Sequence, residues 1–231
     1  MIVGAVAALA AEARALRPAL ARVPASGPQL RLERSGVGRV AATRAAERLV
    51  SCGAGALVSW GVAGALDAAL RPGSLCLPRA VLDGDEALAT SAAWRAAVVA
   101  ALDRHALPLS EAPLLSGVAG AIATPADKRA AGAASGAVAV DMESAAVMRV
   151  ARAAGLPCLV VRTIVDSAHD AIPSSIVRAS RSGPVRLGPL LAGLLLAPTE
   201  LAGLLRLAGR YRTALGRLEQ VARILTWEVP S

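Results

Sequence analysis

The stretch Pro157–Val165, PCLVVRTIV, is a run of apolar and β-branched residues broken only by Arg162, with Gly155 before it and Asp166 after it. It does not alternate between apolar and polar positions, so it reads as a strand buried on both faces. Such strands belong to largely parallel sheets, which need helices on either side. Moving towards the N-terminus, the pattern repeats. A helix ending at Gly155 follows Asp141-Met142-Glu143-Ser144, and a short β-like Val138–Val140 precedes that turn. Thr124-Pro125-Ala126-Asp127 is a helix start, with a hydroxyl cap, proline at the first position and an acid in the first turn. Pro113–Val118 reads as a strand and Ser91–His105 as a helix capped by Ser91. Ser74–Leu82 (SLCLPRAVL) reads as one strand, with Pro78 marking an edge or bulge. Ala56–Trp60 is a buried strand running into a turn at Gly61-Val62-Ala63-Gly64. Val40–Ser51 has helical character, Gln29–Ser35 alternates as a half-exposed strand, and Ile2–Leu9 is a buried strand. Beyond Asp166 a long helical pattern runs from Thr199 to Trp227. Strands alternating with helices predict an α/β fold, a sheet covered on both faces.

The 231 residues fit one such domain, with no repeat, linker-like stretch or charge block to divide them. The chain is 55% hydrophobic but only 2% aromatic, without a single Phe, so its core must be assembled from Ala, Leu and Val. The net charge of +8 raises the question of nucleic acid. Its basic residues are mostly arginines scattered along the chain, however, and there is little aromatic surface on which bases could stack, so no nucleic-acid partner is expected. Attraction to anionic small molecules or to an anionic membrane surface stays open. Cys52, Cys76 and Cys158 are widely spaced and only His105 and His169 accompany them, a pattern that argues against a metal site and for apolar cysteines in a reducing compartment. The opening MIVGAVAALAA lacks the basic start of a signal peptide. Leu187–Pro198 (LGPLLAGLLLAP) falls short of the roughly 18 residues a spanning helix needs. The expectation is a cytoplasmic protein.

Gly36-Val37-Gly38-Arg39-Val40-Ala41 fits the glycine fingerprint of dinucleotide sites. It follows the second strand rather than the first, and no acid lies between Glu47 and Asp67 to take a ribose. A tight strand-to-helix turn accounts for it better than a nicotinamide cofactor does. Three carboxylates are more informative. Glu12 lies just past the first strand, Glu143 follows a short strand and opens a helix, and Asp166 ends the best strand. Ligand sites in open α/β sheets gather at the carboxyl ends of strands, so these three acids could meet in one pocket. Each also has a plainer reading, as a helix first-turn acid for Glu12 and Glu143 and as a cap for Asp166.

Val140–Ala146 (VDMESAA) followed by Leu159–Ala168 (LVVRTIVDSA) resembles the paired signature of the purine nucleoside phosphorylase and methylthioadenosine/adenosylhomocysteine nucleosidase superfamily. Gly4–Leu9 running into Glu12 is similar to the nucleosidase branch, and Ser35–Gly38 and Gly61–Gly64 fall where that family carries two glycine turns. The resemblance covers roughly residues 1 to 170. It implies a three-layer α/β/α fold around a mixed, largely parallel twisted sheet, and cleavage of the N-ribosyl bond of a 5′-substituted adenosine without cofactor or metal. Asp166 is implied to protonate purine N7, for which burial would have to raise its pKa. Glu143 is implied to hold the ribose hydroxyls and to face the developing positive charge. Met142 is implied to pack beside the sugar, and Glu12 to activate water as general base. Val62, Ala63, Gly64, Ser116 and Gly117 are implied substrate contacts. Inorganic phosphate is the alternative nucleophile, and it would need a cationic cradle; Arg14, Arg17, Arg39, Arg44 and Arg162 are the arginines at hand, Arg162 having a structural ion pair as its competing reading. Val62 stands where many relatives carry a hydroxyl residue, and the loop Ser116–Ala121 lacks their adenine-stacking aromatic.

The remaining residues, an apolar segment and long helix over about 184–231, most resemble the hopanoid-associated phosphorylase branch, whose substrate is adenosylhopane. On that resemblance Leu187–Pro198, with Arg178, Arg181, Arg186 and Arg206 around it, is either a surface for docking on the inner face of the membrane or a core or interface segment. Relatives also imply a homo-oligomer, most simply a dimer. A nucleoside-binding protein without catalysis and a membrane-peripheral scaffold are the alternatives from other classes.

Overall fold

The computed structural model describes residues 1–22, 27–118, 120–172 and 198–230. In chain order the elements are β1 (Ile2–Ala7), α1 (Ala10–Ala15), α2 (Arg17–Leu20), β2 (Gln29–Arg34), α3 (Arg39–Ser51), β3 (Ala54–Ala65), β4 (Leu75–Cys76), β5 (Ala80–Asp83), β6 (Glu86–Ala89), α4 (Ala92–Asp103), β7 (Leu109–Ser110), β8 (Leu114–Leu115), α5 (Pro125–Ser135), β9 (Ala139–Val140), α6 (Ser144–Ala153), β10 (Cys158–Asp166) and α7 (Pro198–Ile224). The strands form one mixed sheet of ten among the described residues. Its centre is parallel: β2, β1, β3 and β10 lie side by side. Antiparallel pairings occur at its margins, where β4 joins β10, β9 joins β3 and β6 joins β5. This is the expected α/β/α arrangement.

Side-chain alternation splits the central strands between two apolar layers. Val3, Ala5 and Ala7 of β1, Ala56, Val58 and Trp60 of β3, and Leu159 and Val161 of β10 pack with α1, α2, α4 and α7. Val6, Leu57, Cys158 and Val160 point the other way, against α3 and α6. On that second face the helices bury mostly alanine: Ala42, Ala45 and Ala46 on α3, and Ala145, Ala146 and Ala151 on α6. Small side chains let helix and sheet approach closely. A Cβ on Gly4 would stand 2.9 Å from Leu57 Cδ2 and 3.0 Å from Leu49 Cβ. The alanine-rich composition is thus used where backbones must come near each other.

Three sequence expectations are corrected. Gly61–Gly64 is not a turn but the second half of the 12-residue strand β3; its glycines serve close approaches described below. Ser74–Leu82 divides into β4 and β5, because Pro78 cannot donate to a ladder. The strand read over Pro113–Val118 shrinks to Leu114–Leu115. Thr124 caps α5 as read, its hydroxyl accepting from the Asp127 N–H at 3.1 Å. Cys76 and Cys158 are buried, whereas Cys52 is exposed. No helix among the described residues is long and apolar enough to cross a membrane. Residues 187–197 of the apolar segment, with Arg178, Arg181 and Arg186, lie outside the described residues.

Candidate active site

β3 has two different neighbours along the edge opposite β10. β1 follows it from Ala54 to Trp60, then leaves; β9 takes the same edge from Gly64. Between them the Val62 N–H has no strand to donate to. Glu12 fills the gap. Its Oε1 accepts from Val62 N–H at 3.0 Å and its Oε2 from Leu9 N–H at 2.8 Å, so the acid in the first turn of α1 also caps that helix. Trp60 Nε1 donates to the Glu12 carbonyl at 3.2 Å and fixes the backbone. A Cβ on Gly61 would lie 2.8 Å from Glu12 Oε1, and one on Gly64 would lie 3.3 Å from either carboxylate oxygen of Asp166. The two glycines of the motif each admit one acid.

Glu143 is the N-cap residue of α6. Its Oε1 accepts from Gly38 N–H at 2.7 Å. Gly38 reaches it from the start of α3 with φ of +98°, a conformation that favours glycine. The dinucleotide-like fingerprint therefore supplies a backbone donor to a carboxylate. Asp166 closes β10, and its Oδ2 accepts from the Lys128 ammonium, which also donates to the carbonyls of Ser167 and Asp170 at 2.9 Å each. Lys128 is buried.

Glu12, Glu143 and Asp166 line a single cavity of about 180 Å³ at the carboxyl ends of β1, β3 and β10. Val62, Ala63, Gly64 and Met142 line it too, as do Val118 of the Ser116–Ala121 loop and Leu9, Val37, Ile122, Lys128 and Ile172, which the sequence does not single out as site residues. Ser116 and Gly117 do not line it. Ser116 is instead a buried structural residue: its hydroxyl donates to Asp141 Oδ1 at 2.5 Å and accepts from Ala145 N–H at 3.0 Å. Gly117 abuts the surface pair Arg39–Asp83. The aliphatic residues Val118, Ile122 and Ile172 supply apolar walls in place of an aromatic platform. Among the described residues no group of three or more His, Cys, Asp or Glu is arranged to hold a metal ion.

Behind the cavity Arg162 pairs with Asp141, Nε to Oδ2 at 2.7 Å, and donates to Ser59 Oγ at 2.7 Å. Ser144 completes the network through Asp141 at 2.5 Å and Ser59 at 3.2 Å. The ion-pair reading of Arg162 is what the structure contains. The charges bear on the acids. Burial pushes the Glu143 carboxyl up to about 7, the Asp141 charge adds to the rise, and the Gly38 hydrogen bond and Arg162 oppose it. Burial likewise raises Glu12, against Arg162 and the amides of Leu9 and Val62. Asp166 is raised by burial and held back by Lys128. The desolvation expected of Asp166 is present, with a counter-cation that sequence reading passed over. Lys128 was nonetheless marked: it is the only lysine among the chain's 25 basic residues.

An apolar cavity at the carboxyl ends of parallel strands, ringed by acids with raised proton affinity, is the arrangement of an enzyme active site. The phosphorylase superfamily matches residues 17–181, and the chain belongs to it. No curated protein matches the sequence. Solved structures do. A 5′-methylthioadenosine/S-adenosylhomocysteine nucleosidase from Neisseria meningitidis, in complex with methylthio-immucillin-A, is 18% identical with a TM-score of 0.72, covering 96% of this chain and 97% of its own. Futalosine hydrolase of Helicobacter pylori is 18% identical with a TM-score of 0.70, over 97% of this chain and 98% of its own. An S-adenosylhomocysteine nucleosidase from Streptococcus pyogenes, in complex with 5-methylthiotubericidin, is 19% identical with a TM-score of 0.70, over 97% of each chain.

Proposed function

We propose that the protein cleaves the N-ribosyl bond of a 5′-substituted adenosine and releases adenine. The observation that carries this reading is the convergence of Glu12, Glu143 and Asp166 on one cavity. Breaking the C1′–N9 bond needs a proton for the leaving purine, stabilisation of a cationic sugar and an oriented nucleophile. Asp166 supplies the proton to N7. Glu143 binds the ribose hydroxyls and, once ionised, faces the developing charge beside Met142. Glu12, held rigid by two backbone amides, accepts a proton from the attacking water.

Water rather than phosphate is the favoured nucleophile. Lys128 is the one cation among the described residues lining the cavity, and its charge is engaged by Asp166. Arg39 turns outward to Asp83, and Arg162 is spent on Asp141. A phosphate dianion would find little to desolvate it here. The substrate we assign is adenosylhopane, in hopanoid synthesis, acting at the inner face of the membrane as a homodimer; this rests on the apolar Leu187–Pro198 segment and the resemblance of the C-terminal part. Charging Leu194–Leu196 should abolish co-sedimentation with anionic liposomes, and unchanged sedimentation would remove the membrane step.

The reaction is tested by incubating the enzyme with 5′-substituted adenosines with and without inorganic phosphate. Adenine and free ribose in both cases are expected. Ribose-1-phosphate would move the assignment to phosphorolysis, and no adenine in either would reject it.

A further inference from the structure

Lys128 is the feature that the proposed chemistry leaves over. Twenty-four of the 25 basic residues are arginine, and the single lysine is fully buried at the cavity wall. A buried cation is costly unless paired and fully hydrogen-bonded. Here it is: the ammonium's three donors meet Asp166 Oδ2, the Ser167 carbonyl and the Asp170 carbonyl. A planar guanidinium could not direct three donors from one nitrogen at so compact a target. The other charges facing Asp166 are Asp170, in the same loop, and Arg210 of α7, which pair with each other. Asp170 Oδ2 also accepts from the Ser167 N–H at 2.9 Å, so the loop that holds the lysine's carbonyl partners is itself fastened. Asp166 Oδ1 carries no hydrogen bond among the described residues.

We propose that Lys128 is the positioning residue of the leaving-group acid: it seats on Oδ2, presents Oδ1 to the purine, and stabilises the carboxylate left when the proton passes to N7. The inference rests on the N-ribosyl cleavage argued above. In the step, the proton on Asp166 moves to N7, the C1′–N9 electron pair moves into the purine, and Lys128 keeps its charge throughout. The cation strengthens the acid, because its attraction grows as Asp166 becomes anionic. The same attraction lowers the pH at which free Asp166 gives up its proton, opposing the effect of burial.

The test compares wild type, Lys128→Gln and Lys128→Arg across pH on 5′-methylthioadenosine and on a nitrophenyl riboside, whose leaving group departs without a proton. In Lys128→Gln the basic limb of kcat/KM for the nucleoside should rise by roughly one to three pH units. Its plateau kcat should fall about tenfold while the nitrophenyl riboside changes little. Lys128→Arg, keeping the charge, should return the limb towards wild type. An unmoved limb, or equal loss on both substrates, would overturn the role. A second readout needs no activity: with labelled lysine, the single side-chain NMR signal of the wild type should change position in Asp166→Asn at constant pH. An unmoved signal would contradict the pairing. If the wild type releases no adenine, the N-ribosyl reading fails and this inference with it; release with an unmoved limb removes the inference alone.

Discussion

The two ends of the cavity hold their acids by different means. At the Glu12–Glu143 end the carboxylates rest on backbone N–H groups, those of Leu9, Val62 and Gly38, while the nearest cation, Arg162, stays behind them on Asp141. At the Asp166 end the support is a lysine ammonium. Backbone amides stabilise an anion without a titratable partner and without moving, which suits Glu143 facing a forming sugar cation and Glu12 placed as a base. A directly bonded cation suits an acid that starts protonated and ends ionised. The contrast is between two acids that act as anions and one that acts as a proton donor.

Removing the exchangeable proton should have the largest effect. Asp166→Asn should lower kcat for adenine release by about 10²–10⁴-fold, read by product chromatography; a loss under fivefold would deny this end its role. Glu12→Gln should cost about 10²-fold in the same assay with nucleoside affinity largely retained. Gly61→Ala sharpens the contrast further, because its Cβ would lie 2.8 Å from Glu12 Oε1. A loss of about 1–3 kcal/mol in stability is expected in denaturant melts, together with weakened turnover. Glu143→Gln should give the smallest and most telling change, a pH-dependent gain in Tm. The Glu143 carboxyl is raised to about 7 by burial and by Asp141. Its contribution to stability is therefore complete below the ordinary glutamate range and is lost as pH rises through about 7. The variant should match wild type near pH 4.5 and exceed it at pH 8, by at most about 3 kcal/mol before solvent screening at the cavity. A variant that is less stable at pH 8 would contradict the raised carboxyl.

Much of this was legible in the residues. Pro157–Val165 announced a strand buried on both faces, and the acids at strand ends pointed to the cavity mouth because sheet topology collects such ends. What escaped had no periodic signature. Gly61–Gly64 looked like a turn because glycine clusters usually are one; only the folded packing shows that each glycine admits a carboxylate to a strand. Ser116 looked like a ligand contact, but a loop hydroxyl gives no sign in sequence of facing Asp141 rather than the cavity. Lys128 sits at the fourth position of a capped helix, where charged residues are ordinarily solvated. Only its uniqueness among so many arginines set it apart.

The most direct test is a crystal structure of Asp166→Asn with 5′-methylthioadenosine bound. Purine N7 should lie within hydrogen-bond reach of residue 166, with the ribose hydroxyls on Glu143 and a water between Glu12 and C1′. A nucleoside bound elsewhere, or with its base at the Glu12 end, would contradict this placement.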